Sequence, residues 1–128
     1  MTDQHERVDL GEIIVGVDTH KDTHVAVAID PLGRRLDQRT VCTDRAGLLS
    51  LLEWSRKLST SRVWGVEGTG SYGAGLTRLL TASGEPVHEV SRPNRRLRRE
   101  RGKSDPIDAE AAARSVLAEQ SPGRPEEQ

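Results

Sequence analysis

The spacing of short apolar segments changes once along the chain, near residue 44, and this change constrains the fold more than any other feature. Before it, three β-type segments at residues 13–18, 25–30 and 36–42 are joined by connections too short for a helix. Pro31 and Gly33 supply turn chemistry between the second and third segments. Short connections of this kind predict an antiparallel meander of three strands.

After residue 44, helical and strand patterns alternate. Asp44 can cap a helix whose leucines recur at helical spacing, and four further segments follow: a buried strand at 63–67, a helix at 71–83 ended by Gly84, a strand at 86–90 and an alanine-rich helix at 104–119. Helical crossovers require the late strands to run parallel. The sequence therefore predicts an α/β fold of the ribonuclease H-like class, a mixed five-stranded sheet with flanking helices.

Length and composition narrow the functional classes. A chain of 128 residues predicts one domain, here 13–119, between a flexible N-terminal lead (1–12) and a flexible tail (120–128). The net charge of −1 provides no global attraction for a polyanion, so any nucleic-acid contact needs a local basic patch. A single cysteine excludes an internal disulfide and a cysteine-based zinc site, and the absence of a long apolar run predicts a cytoplasmic protein.

Two acids end apolar strands. Asp18 closes the first strand, and Glu67 closes the strand at 63–67 and precedes Gly68. Each also has an ordinary structural interpretation, because Asp is common in turns and a strand-end Glu can pair with an Arg.

A second pair of acids, Asp105 and Asp108, stands three residues apart at the start of the last helix, a spacing that places both on one face. The alternative is helix capping, with Asp105 as N-cap, Pro106 as the first helical residue and Asp108 reaching back as in a capping box. One oxygen of an acid can cap while the other binds a metal.

The four acids can converge only if the first and fourth strands are neighbours and the last helix packs beside them, as in a ribonuclease H-like topology. Two carboxylates about 4 Å apart repel by roughly 4 kcal/mol at an effective dielectric constant of 20, so such a cluster must take up protons or a cation. Oxygen-only ligands favour Mg²⁺ or Mn²⁺, which promote phosphoryl transfer. The sequence predicts a metal-binding and catalytic set of Asp18, Glu67, Asp105 and Asp108.

Three sequence blocks, at residues 15–22, 66–73 and 103–109, carry those acids in order, with a Pro-Asn and Arg-rich segment before the last block. Together they resemble the N-terminal DEDD domain of the insertion-sequence transposases that are guided by a bridge RNA, a domain similar to Holliday-junction resolvases. The resemblance covers about residues 13–118. It implies DNA transposition or site-specific recombination, with Mg²⁺, DNA, a guide RNA and assembly into a homo-oligomer. Members also carry a C-terminal domain that supplies a catalytic serine, and we expect this chain to lack it and to need a partner domain.

A basic stretch leads into the acid pair. Arginine binds phosphate through two parallel hydrogen bonds, so the stretch predicts a nucleic-acid clamp, although a run of charges is more often a solvated face. Its cations are Arg92, Arg95, Arg96, Arg98, Arg99, Arg101 and Lys103.

The few aromatic residues, Trp54, Trp64 and Tyr72, fall on predicted apolar faces, which predicts core positions and little base stacking. Residues 68–73 also fit the G-x-G-x-x-G pattern of dinucleotide-binding folds, but Glu67 would place a negative charge beside the pyrophosphate. An actin-like sugar kinase is disfavoured because His20 and Lys21 stand where that fold has glycines. A non-catalytic nucleic-acid-binding or assembly module of the same fold remains the alternative.

Overall fold

The computed structural model describes residues 11–91 and 105–120, which form five strands and three helices. In chain order they are β1 (Glu12–Thr19), β2 (Thr23–Ile29), β3 (Arg35–Cys42), α1 (Arg45–Leu58), β4 (Ser61–Glu67), α2 (Ala74–Ala82), β5 (Val87–Val90) and α3 (Pro106–Gln120). The predicted lead (1–12) and tail (120–128) lie almost wholly outside these residues.

The strands form one mixed sheet in the order β3-β2-β1-β4-β5. The first three strands pair antiparallel as a meander, while β1 with β4 and β4 with β5 pair parallel. The predicted fold class is confirmed, since this order and these directions are consistent with a ribonuclease H-like fold. Its consequence is that β1, with Asp18 as its next-to-last residue, and β4, which ends on Glu67, lie side by side at the centre.

Alternation along the strands separates two cores. Odd-numbered β1 residues such as Val15 and Val17 pack with Trp64 and the leucines of α1 and α2. Ile14 and Val63 pack on the opposite face with the alanines of α3. A residue's position in its strand therefore decides which helices it meets.

Helix α3 approaches the sheet unusually closely because glycines lie beneath it. A Cβ built on Gly16 would lie 2.1 Å from the Ala109 carbonyl oxygen and 2.3 Å from the Ala113 nitrogen. A Cβ on Gly65 would lie 2.6 Å from a Val116 methyl carbon. Backbone and small side chains thus form this interface, and any larger β1 residue at position 16 would push the helix outward.

Helix α1 begins as predicted and helix α2 does not. The Asp44 carboxylate accepts a hydrogen bond from the Gly47 N–H at 2.8 Å, which confirms the predicted cap. Helix α2 starts at Ala74 rather than at 71. The intervening residues form turns that Gly68 permits through its φ of +68°.

A buried carboxylate fastens α1 and β4 to the turn before β5. Glu85 accepts hydrogen bonds from Arg56, Arg62 and the Trp64 indole N–H, the shortest being 2.7 Å from Arg62. Its side chain is 3% exposed and that of Arg62 is 11% exposed. These donors outweigh the effect of burial and lower the pKa of Glu85 to about 2.

The described helices include none with the length and apolarity needed to cross a bilayer.

Candidate metal and nucleic-acid site

Asp18 and Glu67 lie next to each other at the carboxyl ends of β1 and β4. The parallel register pairs Val17 with Val66, so the two acids occupy the following position on neighbouring strands. The Thr19 hydroxyl donates a 2.9 Å hydrogen bond to the Glu67 carbonyl oxygen, which fixes the two strand ends together. Both acids follow the glycines under α3 by two residues, so strand alternation directs them to the α3 face.

The start of α3 brings the second pair of acids to the same place. The Asp105 N–H donates a 2.7 Å hydrogen bond to Asp18 Oδ2, so the first residue of the pair is tied directly to β1. Asp108 lies in the first turn of α3, one residue before Ala109, whose carbonyl oxygen faces Gly16. The structure therefore brings the segments that contain Asp18, Glu67 and residues 105–108 to one corner of the sheet.

These acids differ in exposure. Asp18 is fully buried, Glu67 and Asp108 are each 2% exposed, and Asp105 is partly buried at the rim. Burying carboxylates costs free energy unless hydrogen bonds or opposite charge compensate. The N-terminus of α3 supplies part of this compensation, because the positive end of the helix dipole faces the acids.

Capping explains one acid of the pair and not the other. Asp105 Oδ1 accepts the Ile107 N–H at 2.7 Å, and the Asp105 carbonyl oxygen accepts the Ala109 N–H at 3.0 Å, so Asp105 is the N-cap. In a capping box Asp108 would accept the Asp105 N–H, but that group donates to Asp18. Asp108 is thus buried beside the acids with a different role from the predicted box.

The side-chain oxygens are not arranged as a ready cage for one ion. Within residues 11–91 and 105–120, no group of three or more His, Cys, Asp or Glu side chains has ligand geometry. Asp18, Glu67 and Asp108 all take part in interactions with their surroundings, and Asp18 Oδ2 and Asp105 Oδ1 accept backbone N–H groups. The structure thus brings the backbone segments that carry the acids together, while the acid side chains of the described residues do not form a metal-binding group.

Two aromatic rings lie in the loops that follow the acid-bearing strands, and the sequence did not predict that they stack on each other. His20 follows β1 and Tyr72 follows β4, and their rings stack with centroids 5.7 Å apart and planes at 27°. Tyr72 is 48% exposed, so its predicted core position is wrong, while Trp54 and Trp64 are buried as predicted. The glycines at 68, 70 and 73 were the signal for a loop, since glycine at this density disfavours a helix.

A neighbouring histidine holds His20 in place. The His24 Nδ1 accepts the His20 backbone N–H at 3.3 Å, and His24 is 1% exposed on β2. Burial lowers the pKa of His24, which favours the neutral ring that can accept this bond.

The loop at 68–73 does not form a phosphate cradle. The Gly68 carbonyl oxygen accepts the N–H groups of Ser71 and Gly73 at 2.9 and 2.8 Å, so these donors point into the loop. Glu67 lies directly before it and is buried. Both features disfavour the dinucleotide interpretation. The predicted basic clamp, from Arg92 to Lys103, lies outside the described residues.

Comparison with known proteins shows the family to which the chain belongs. A family model described as a transposase, of the DEDD and IS110 type, matches residues 15–127. The "Insertion element IS116 uncharacterized 44.8 kDa protein" of Streptomyces clavuligerus is 35% identical over 119 residues, which cover 88% of this chain and 28% of the relative. The chain thus spans little more than a quarter of that relative's length. Because the family model matches most of the sequence, the chain belongs to the DEDD transposase family of the IS110 type.

Proposed function

We propose that this chain is a divalent-metal-binding domain of a DNA transposase and acts on DNA phosphodiesters. One observation carries the proposal: the carboxyl ends of two adjacent parallel strands and the first turn of α3 bring Asp18, Glu67, Asp105 and Asp108 to one corner. Three of these acids are almost completely buried. A concentration of buried carboxylates at a strand end is typical of a cation site and is costly as a purely structural device.

The donor set favours Mg²⁺ or Mn²⁺, because all four side chains offer only carboxylate oxygens. Such an ion, when bound, supplies charge stabilisation for phosphoryl transfer. The chain's own residues would contribute in different ways. Glu67 and Asp108 provide negative charge inside the corner, while Asp18 both contributes an oxygen and holds the α3 N-terminus through Asp105. Asp105, at the rim, is the most exposed of the four acids.

The test is isothermal titration of Mn²⁺ and Mg²⁺ into the 128-residue chain, without nucleic acid. We expect saturable binding to the wild-type chain and at least about tenfold weaker binding to Glu67→Gln, which keeps the side chain's size and removes its charge. Glu89→Gln on β5 is the matched control, because it makes the same change at an exposed position outside the corner. Absence of saturable heat in the wild type, or equal affinities in all three proteins, would refute the metal proposal.

Activity on DNA is a separate measurement. Branched and nicked duplexes labelled at one end are incubated with the chain in Mn²⁺, Mg²⁺ or EDTA. We expect metal-dependent binding and nicking, with nicking lost in Glu67→Gln and kept in Glu89→Gln. If binding and nicking both persist in EDTA, the proposed metal-binding role of the acids is contradicted.

A second candidate is a non-catalytic nucleic-acid-binding or assembly module. The observation that favours it is that Asp18 and Asp105 each direct an oxygen to a backbone N–H, and no ready ion cage forms among the described residues. This function would be identified if the wild-type chain binds DNA in a metal-dependent way without nicking it and Glu67→Gln binds the same DNA more weakly.

The resemblance set out above also implies a guide RNA, assembly into a homo-oligomer and a partner domain with a catalytic serine. These remain predictions, as does the nucleic-acid clamp from Arg92 to Lys103. If the clamp exists, replacing Arg95, Arg96, Arg98 and Arg99 by Ala should flatten the dependence of log affinity on log salt.

A further inference from the structure

We propose that His20 and Tyr72 form a stacking platform for an unpaired nucleobase beside the acids. The inference rests on the part of the proposed function that places nucleic acid at this corner, and it names the chemistry of contact there. The observation that carries it is a stacked pair of rings on the two loops that directly follow the acid-bearing strands.

Backbone contacts hold both of the loops that carry the rings. His20 is fixed through its backbone N–H, which donates to the buried His24 ring at 3.3 Å. The Tyr72 loop is closed by the Gly68 carbonyl oxygen, which accepts from Gly73 at 2.8 Å. A Cβ on Gly73 would lie 2.8 Å from the Glu67 carbonyl oxygen and 3.1 Å from a Thr19 methyl carbon, so this loop packs tightly on the ends of β1 and β4. Preorganised rings lose little conformational entropy when they bind a base.

Exposure distinguishes Tyr72 from the two tryptophans. Both tryptophans are buried in the core, whereas the single tyrosine leaves 48% of its surface open. A structural aromatic would bury its ring, since the hydrophobic gain grows with the area removed from water. An exposed ring that is already stacked on one neighbour offers its remaining surface to another flat ring.

The surroundings favour a nucleotide over an apolar peptide. The exposed Lys21 follows His20 in the same loop and can neutralise a phosphate, while no large hydrophobic side chain accompanies Tyr72 in the loop at 68–73. Base stacking on aromatic rings tolerates any sequence, because every base has a flat face. A base flipped or frayed from its partner is the form that can reach such a surface, since paired bases are already stacked in the duplex.

The experiment uses two DNA duplexes of equal length, one with a single unpaired 2-aminopurine and one fully paired. Affinity is measured by fluorescence anisotropy, and stacking by quenching of 2-aminopurine, in Mg²⁺ and in EDTA. The proteins are the wild-type chain, Tyr72→Phe, Tyr72→Ala and the control Leu32→Ala. Leu32 is 78% exposed in the turn after β2 and belongs to no part of the corner. Circular dichroism melting of each variant confirms that it is folded.

We expect Tyr72→Ala to bind the duplex with the unpaired base about five- to hundredfold more weakly and to lose quenching. Tyr72→Phe and Leu32→Ala should bind this duplex with wild-type affinity. All four proteins should bind the fully paired duplex with equal affinity. Equal affinity of wild type and Tyr72→Ala for the unpaired base would overturn this inference alone. No binding of either duplex by the wild type would overturn it together with the DNA part of the proposed function. If Tyr72→Ala weakens binding of the unpaired base equally in Mg²⁺ and in EDTA, the result would support the platform and contradict the expected metal dependence of DNA binding.

Discussion

Replacing Gly16 by Ala should move the helix that carries two of the four acids without altering any acid. Gly16 lies on β1 under α3, where an added Cβ would be 2.1 Å from the Ala109 carbonyl oxygen and 2.3 Å from the Ala113 nitrogen. Both atoms belong to helix backbone, so neither can turn aside. The helix or the strand must retreat as a unit.

The size of the movement follows from these distances. An ordinary contact begins near 3.4 Å, so α3 must withdraw by about 1 Å at this point. The 2.7 Å bond between the Asp105 N–H and Asp18 would then stretch out of hydrogen-bond range. Overpacking of this kind costs about 1–3 kcal/mol, which exceeds the gain of up to about 1 kcal/mol that Ala brings over Gly in a strand.

Two measurements check this result. Urea denaturation followed by the fluorescence of the buried Trp54 and Trp64 should show a free energy of unfolding lower by up to about 2.5 kcal/mol, which is the overpacking cost less the gain from alanine. Titration of Mn²⁺ should show affinity reduced by about tenfold or more, because Asp105 and Asp108 move with the helix. Gly70→Ala is the control for stability, since no atom lies within 4 Å of its added Cβ. A Gly16→Ala variant with wild-type stability and wild-type Mn²⁺ affinity would refute the claim that close packing of α3 positions these acids.

Two further predictions concern stability away from the acids. Glu85→Gln should lower the free energy of unfolding at pH 7 by about 3 kcal/mol, because it leaves the nearly buried Arg62 without its counter-charge. The control Glu53→Gln, on the exposed side of α1, should change the free energy of unfolding little. Since the pKa of Glu85 falls from 4.5 to about 2 on folding, its contribution to stability is present above pH 4.5 and is lost as the pH falls towards 2. If the stability of the wild type depends on pH over this window no more than that of Glu85→Gln, the stabilising role of the Glu85 carboxylate is contradicted. Gly75→Ala should raise the melting temperature by a few degrees, as its Cβ meets Leu48 and Arg78 only at 3.8 and 3.9 Å and alanine favours the helix; a lower melting temperature would show that α2 needs its glycine.

The fold was largely predictable because its determinants are local. Turn residues between β1, β2 and β3 leave no room for a crossover, and the helical spacing after Asp44 requires one. Those two facts predict the meander and the crossover, and the ribonuclease H-like topology that they favour makes β1 and β4 neighbours, which in turn brings Asp18 beside Glu67. The predicted proximity of the acids thus follows from topology rather than from any property of the acids themselves.

The details that depend on three-dimensional packing were not predictable. Tyr72 has the spacing of a core residue, yet Gly68 and Gly73 turn the chain before α2 begins and leave the ring outside. Asp108 fits a capping box by spacing, but a distant residue, Asp18, takes the N–H that the box requires. Nor does the sequence show that Gly16 is indispensable for helix approach, because its partners Ala109 and Ala113 are more than ninety residues away.

The side-by-side placement of β1 and β4 also has a consequence for the order of folding. The β1–β2 hairpin joins residues close in sequence and can form early, but Glu67 and the start of α3 reach Asp18 only after long loops have closed. A chain stalled as the three-strand meander would display Asp18 alone. The clustered negative charge therefore arises late, when the hairpin has already formed a surface on which the remaining segments can dock.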